Sequence, residues 1–247
     1  MFDTRAVAER ARLEVVAERV RPVALAQDQT LPVLPALATL FPQGTLPRGI
    51  TISVGGPGAA SLALALAAAP TAAGSWSALV GLSGAGLAAA AELGVALERV
   101  AAIEAPDPAG WGTVVAALLG AFDLVLVGPS HRVPAGAVRR LTARARERGS
   151  VLVVVGGPIR AAGSAVWPEQ PDLRLTTTHA NWWGLGQGYG HLRARHVEVE
   201  ATGRRAFVRV RRASVLLPGP AGMPEVVPAA LPESGERAVA PVAEQVG

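Results

Sequence analysis

The stretch GITISVGGPGAASLALALAAA, residues 49–69, decides the fold. Residues 50–54 form a short β-branched run that is typical of a buried strand. The Gly-Gly-Pro-Gly sequence at 55–58 predicts a tight turn. The Ala- and Leu-rich segment 59–69 has the length and composition of a buried helix. A strand, a glycine-rich turn and a helix in succession are the opening of a βαβ unit.

The same alternation continues along the chain. It predicts strands at 76–82, 100–103, 124–127 and 151–155, with helices between them at 85–93, 111–121 and 135–148. A further strand at 173–177 and a hairpin of 191–200 with 205–212, around Thr202 and Gly203, follow. Alternating strands and helices indicate an α/β fold with a mostly parallel sheet flanked by helices.

Composition shifts divide the chain into three parts. Apolar residues recur at helical spacing between 4 and 20, Pro22 ends that pattern, and a Pro- and Leu-rich connector follows. The predicted organisation is therefore an N-terminal helix with connector at 1–40 and a core with a C-terminal hairpin at 41–217. The Pro-, Ala- and Glu-rich segment 218–247 is predicted to be a flexible tail.

Composition also excludes several kinds of site. The chain has no cysteine, and its four histidines show no ligand spacing, so we predict neither a metal site nor a cofactor. It also has no lysine, so all 23 basic residues are arginine and any mechanism that needs a lysine ammonium is excluded. Residues 1–21 are not typical of a signal peptide, and no stretch is apolar enough to span a membrane. We therefore predict a cytoplasmic protein without a membrane partner.

The glycine-rich turn has the shape of a phosphate loop without its charge. A working loop of the form G-x-x-x-x-G-K-[ST] needs lysine for the β- and γ-phosphates and a hydroxyl for Mg²⁺. Ser61 stands at the hydroxyl position, but Ala60 stands where lysine belongs. A helix N-terminus attracts anions even without lysine, so Gly55, Gly56, Gly58 and Ser61 are a candidate vestigial nucleotide site. The alternative is a plain strand-to-helix turn.

Two other groups that ATP hydrolysis needs are missing from the sequence. The predicted strand 124–127 runs into Gly128 where a metal-binding acid would be expected, and Asp123 lies at the opposite end of that strand. The stretch after the strand 76–82, where a glutamate would activate water, contains Ser83 and Gly84. With three elements absent, we predict no catalytic residue and no enzyme activity.

Several motifs resemble the RecA ATPase core. The segment "LPRGIT" at 46–51, followed by the glycine turn and "SLAL" at 61–64, resembles the start of that core. "ELGV" at 92–95 and "PDLRL" at 171–175 are similar to later RecA segments and occur in the same order. The resemblance spans about residues 41–177 and implies a RecA-like fold. It departs from RecA at Gly156 and Gly157, where a nucleotide-sensing pair would stand.

With the "WWGLG" segment at 182–186, the chain particularly resembles the actinobacterial ImuA-prime-like proteins of the SOS mutagenesis cassette. That resemblance implies a non-catalytic accessory role in damage-induced, error-prone translesion DNA synthesis. It implies two partners, an inactive Y-family polymerase homologue and an error-prone replicative-type DNA polymerase subunit. DNA remains open as a further partner.

Two groups of residues are candidates for contact with a partner or with DNA. Trp182 and Trp183 lie among glycines, where aromatic rings could stack on bases, fill a partner's pocket or cover the end of the sheet. The second group is basic and falls on and around a predicted strand: Arg204, Arg205, Arg209 and Arg211.

Two other functions stay open. One is a divergent P-loop ATPase that uses Arg48 or Arg160 in place of lysine, and the other is a single-stranded DNA-binding protein.

Overall fold

The computed structural model describes residues 30–82, 86–156, 167–185 and 190–227. Its first half contains β1 (Thr30–Leu31), a 3-10 helix (Pro35–Leu40), β2 (Leu46–Pro47), β3 (Thr51–Gly55), α1 (Ala59–Ala72), β4 (Ser77–Val80), α2 (Leu87–Glu92), a 3-10 turn (Leu97–Arg99) and β5 (Val100–Ile103). Its second half contains α3 (Pro108–Leu118), β6 (Leu124–Val127), α4 (Ala135–Arg148), β7 (Val151–Val155), β8 (Leu173–Leu185), β9 (Gly190–Gly203), a 3-10 turn (Arg205–Phe207), β10 (Arg211–Leu216) and β11 (Glu225–Val226). The predicted helix at 4–20 and most of the predicted tail lie outside these residues.

One sheet of nine strands organises the described part of the chain, in the order β11-β10-β9-β8-β3-β7-β6-β4-β5. The six strands from β8 to β5 in that order are parallel neighbours. Strands β9, β10 and β11 extend the sheet beyond β8 in antiparallel fashion. The predicted α/β class with a mostly parallel, helix-flanked sheet is confirmed, and the arrangement is consistent with a RecA-like fold.

Helices cover the parallel strands on both faces because the strand residues point alternately to opposite sides. In β6, Leu124 and Leu126 belong to the hydrophobic cluster that contains α1, whereas Val125 and Val127 belong to the cluster that contains α3 and α4. Every side chain of β6 is buried. Such double burial explains why this strand is a continuous apolar run in the sequence.

The segment assigned to a connector in the sequence packs into the core. Strand β1 pairs with β2, and the 3-10 helix places Leu37 and Leu40 in the cluster that also holds α1. Both leucines are fully buried. At the other end of the core, β11 pairs with β10 within the segment assigned to the tail. Burial of apolar side chains therefore holds the first segment in the core, whereas backbone pairing with β10 holds the exposed residues of β11.

Several element boundaries differ from the sequence prediction. Helix α1 continues through Pro70 to Ala72, because a proline in the last turn of a helix forgoes only one of its hydrogen bonds. The strand predicted at 173–177 is the first part of the much longer β8.

The predicted hairpin strand 205–212 begins only at Arg211, because residues 205–207 form a 3-10 turn that buries Phe207. None of the helices in the described ranges is long and apolar enough to cross a membrane.

Candidate functional site at the start of helix α1

The glycine-rich turn joins the carboxyl end of β3 to the amino end of α1. Gly56 and Gly58 have φ angles of +92° and +78°, in the left-handed region that favours glycine. Gly58 is the N-cap residue of α1, and no side chain caps this end of the helix. The first N–H groups of a helix lack partners within it, so this turn presents backbone donors at the positive end of the helix dipole.

The turn is held in place by the neighbouring strand β8. The hydroxyl of Thr177 lies 2.8 Å from the carbonyl oxygen of Pro57 and 3.1 Å from that of Gly55, and it donates to this pair. A methyl group at Gly56 would collide with the backbone oxygen of Thr177. Glycine at this position thus lets the turn approach β8 closely.

Strands β8 and β9 continue past the turn as a two-stranded arm. Strand β8 pairs with β3 only as far as Gly55 and Thr176, and beyond that point it pairs with β9 alone. In this arm Trp182 lies directly opposite Arg195. The arm therefore brings residues that are far along the chain to the start of α1.

Arg195 lies against the turn itself. A methyl group at Gly58 would be 2.5 Å from the Nη2 atom of the Arg195 guanidinium. Its Nε atom donates to the carbonyl oxygen of Leu217 at 2.8 Å, and the guanidinium carbon lies 5.2 Å from the centre of the Trp182 ring. This distance is within the range of a cation–π interaction. Gly58, Leu217 and Trp182 therefore enclose the side chain.

The Arg195 guanidinium is buried and incompletely hydrogen-bonded. The residue is 9% exposed, and within the described part of the chain its Nη2 atom is buried without a hydrogen-bond partner. Burial lowers the pKa of Arg195 below its ordinary value by removing water from the charged form. Sequence reasoning missed this residue, because Arg193 and Arg195 are alike in the sequence and only the tertiary structure buries one of them.

The residues that phosphate hydrolysis needs are not assembled around the turn. Ala59 and Ala60 open α1, and Ser61 is half-buried in its first turn. Gly128 follows β6 at the same edge of the sheet and packs closely against the Gly81 backbone. The carboxyl edge of the described sheet thus offers neither a lysine nor an acid next to this turn. The acidic residues Glu104 and Asp107 follow β5, four strands from β3, at about 19 Å by strand spacing.

Arg48, one of the two arginines considered as a substitute for lysine, lies at the opposite edge of the sheet. Its Nη1 atom is 2.7 Å from Oδ1 of Asp123, and Oδ2 of Asp123 accepts a hydrogen bond from the backbone N–H of Trp76. Asp123 therefore links the amino ends of the neighbouring strands β4 and β6, and through Arg48 the segment before β3. The hypothesis of Arg48 at the phosphate loop is wrong. Arg160 lies outside the described residues.

Trp182 and Trp183, which lie among glycines in the sequence, occupy opposite faces of strand β8. Trp183 lies beside His196, with the ring centres 6.1 Å apart. Nε2 of His196 is 2.6 Å from Oγ of Ser214 and 3.0 Å from Oε1 of Glu198. Only Trp182 thus faces the site at the start of α1.

The four predicted contact arginines do not form one surface. Nε of Arg204 donates to Oδ1 of the buried Asp172 at 3.1 Å, and Oδ2 of Asp172 accepts from the backbone N–H of Thr51. Arg211 is half-buried and its Nη1 atom lacks a partner among the described residues. Arg205 and Arg209 are exposed in the turn between β9 and β10.

Fold and site together define an α/β protein with a mostly parallel, helix-flanked sheet, consistent with a RecA-like fold, and a phosphate-loop-shaped turn that lacks the loop's lysine. Residues 39–161 match the family model described as MT3502 N-terminal domain. Over 165 residues the chain is 40% identical to the uncharacterized protein Rv3395c of Mycobacterium tuberculosis (strain ATCC 25618 / H37Rv), an alignment that covers 62% of this chain and 78% of that protein. The chain belongs to the family of these proteins. Trp182 and Arg195 lie beyond the residues that the family model matches.

Proposed function

We propose that the protein is a non-catalytic accessory protein of SOS-induced, error-prone translesion DNA synthesis, working as an adaptor for polymerase subunits. The observation that carries this proposal is the chemistry of the turn before α1. Its backbone has the shape of a phosphate loop, whereas Ala60 and Gly128 occupy the positions of the lysine and the metal-binding acid. An arginine near the loop keeps its proton and cannot act as a general base. The site therefore favours contacts over turnover.

The mutagenesis role itself rests on the resemblance to the ImuA-prime-like proteins. The relationship to a protein of Mycobacterium tuberculosis agrees with the resemblance to the actinobacterial ImuA-prime-like group. The partners which that resemblance implies are an inactive Y-family polymerase homologue and an error-prone replicative-type polymerase subunit. We propose both as partners of this protein.

The turn between β9 and β10 supplies a surface suited to a protein partner. Val208 and Val210 are 70% and 48% exposed, and the exposed Arg205 and Arg209 lie beside them in the sequence. We call these four residues the 205–210 surface. Removing exposed apolar side chains from water lowers the free energy of the complex, and arginine side chains can form ion pairs with acidic groups on the partner.

Purified proteins test the adaptor role directly. The tagged protein is used to capture each of the two polymerase subunits, alongside the double variant Val208→Asp/Val210→Asp. The adaptor proposal expects capture by the wild type and at least a tenfold loss in the double variant, because each aspartate would bury an unpaired charge at the interface. Leu87→Asp, at an exposed leucine on α2, is the matched control and should bind as the wild type does. If the wild type captures neither of the two subunits, the adaptor proposal is wrong.

The non-catalytic part has its own test. In the presence of Mg²⁺, the wild-type protein should release phosphate from ATP no faster than the Ser61→Ala variant does. Metal-dependent hydrolysis that disappears in Ser61→Ala would instead establish the divergent P-loop ATPase.

A further inference from the structure

Two positive features meet without an opposing charge where the β8–β9 arm touches helix α1. One is the uncapped N-terminus of α1, and the other is the guanidinium of Arg195, which packs on Gly58. No acidic residue forms an ion pair with Arg195 within the described ranges. Within those ranges, its side chain donates one hydrogen bond, to the neutral backbone carbonyl of Leu217.

We propose that Arg195 and the backbone N–H groups at the start of α1 together bind a phosphate-type oxyanion. This site is built from two parts of the chain, since the turn follows β3 and the cation comes from β9. It goes beyond the adaptor function and does not depend on it.

Electrostatics favour an anion at this position. A buried cation whose hydrogen bonds are incomplete is costly, and the positive end of the helix dipole adds to that cost. An anion between them would accept from the unpartnered Nη2 atom of Arg195 and from the backbone N–H groups of Ala60 and Ser61, since that of Ala59 already donates to the carbonyl oxygen of Gly56. One ligand would therefore satisfy both features.

The shape of the site favours a tetrahedral phosphate group. A planar guanidinium presents two N–H groups side by side to phosphate oxygens, and glycine lets the backbone approach an anion closely. The Trp182 ring lies 5.2 Å from the guanidinium carbon and so helps to hold the cation at the turn. The hydroxyl of Thr177 is already engaged with backbone carbonyl oxygens of the turn, so it fixes the turn in shape.

Calorimetric titration of the full-length protein with tripolyphosphate, inorganic phosphate and ATP, each without Mg²⁺, tests the proposal. We expect tripolyphosphate to bind. The Arg195→Gln variant should bind it at least tenfold more weakly, because a charge-assisted hydrogen bond is lost. Arg193→Gln is the matched control, since it removes the same charge from the exposed position two residues earlier on β9 and should bind as the wild type does. ATP that binds no more tightly than tripolyphosphate would show that the phosphates alone are recognised.

A second variant covers the case in which Arg195→Gln does not fold. Trp182→Leu keeps the cation but removes the ring that positions it, and we expect about a threefold loss of affinity from the missing cation–π contact. Absence of tripolyphosphate binding by the wild type overturns the proposal. Affinity that is unchanged in a folded Arg195→Gln variant overturns it as well. Neither result bears on polymerase capture, so the adaptor proposal is judged separately.

Discussion

The Thr177 hydroxyl donates to the carbonyl oxygens of Pro57 and Gly55, at 2.8 and 3.1 Å, and so anchors the turn before α1 to strand β8. Both of these residues belong to the turn, and Thr177 is buried. The shape of the turn is therefore fixed from outside the segment that forms it.

Replacing Thr177 by valine should destabilise the protein, because the isosteric change removes the hydroxyl proton that the carbonyl oxygens of Pro57 and Gly55 share. We expect the free energy of unfolding to fall by about 1–2 kcal/mol in denaturant titrations. The neighbouring Thr178 is exposed, so Thr178→Val should change it by less than about 0.5 kcal/mol. Equal effects of the two substitutions would show that the hydroxyl of Thr177 does not anchor the turn.

Among the carboxylates in the described part of the chain, Asp172 should contribute most to stability. It accepts from the backbone N–H of Thr51 and from the side chain of Arg204, and only 4% of the residue is exposed. Asp172→Ala should lower the free energy of unfolding by about 2–3 kcal/mol. This is less than the cost of breaking a fully buried ion pair, because Arg204 can regain water. Glu147→Ala removes a carboxylate from a largely exposed pair with Arg144 and should cost less than about 0.5 kcal/mol. Thermal or denaturant unfolding of both variants makes the comparison.

Replacing Gly58 by alanine should lower the free energy of unfolding more than the same change at Gly74, which has a similar backbone conformation. Gly74 has a φ angle of +94° and no atom within 4 Å of an added methyl group, so Gly74→Ala measures the backbone cost alone, about 1 kcal/mol. Gly58→Ala adds a collision with the Arg195 guanidinium, and we expect about 2–3 kcal/mol in the same unfolding assay.

The excess cost at Gly58 should depend on Arg195. In an Arg195→Ala background, Gly58→Ala should cost no more than Gly74→Ala does, which gives a coupling of about 1 kcal/mol or more in a double-mutant cycle. Additive effects would place the guanidinium away from Gly58.

Arg205 and Arg209 distinguish a protein adaptor from a single-stranded DNA-binding protein. The adaptor proposal expects the wild type and Arg205→Ala/Arg209→Ala to have the same affinity for a single-stranded oligonucleotide, measured by fluorescence anisotropy at two salt concentrations. A DNA-binding function instead predicts a salt-sensitive affinity whose salt dependence falls when the two charges are removed. Arg140→Ala/Arg148→Ala, at exposed positions of α4, is the control for loss of charge alone.

Much of the parallel sheet could be predicted from sequence because its strands are buried on both faces. Such strands stand out as short apolar runs between helical segments, and the bounds predicted for β5, β6 and β7 agree with the structure. The antiparallel part was harder to predict. Strand β8 carries Thr178, His179 and Asn181 among its apolar residues, and register shifts interrupt its pairing with β9. Only the partner strand shows that this polar segment is extended.

The candidate site also has features that the sequence determined and others that only the tertiary structure decided. The sequence by itself determined the glycine-rich turn, the serine at position 61 and the absence of lysine, since these depend only on which residues occur and in what order. The tertiary structure alone decided that Arg195 reaches Gly58, because more than 130 residues separate them and the meeting requires β8 to pair with β3 and β9 with β8. Burial depends on every neighbouring element, so only the tertiary structure shows that Arg195, among many arginines, is the buried cation at the start of α1.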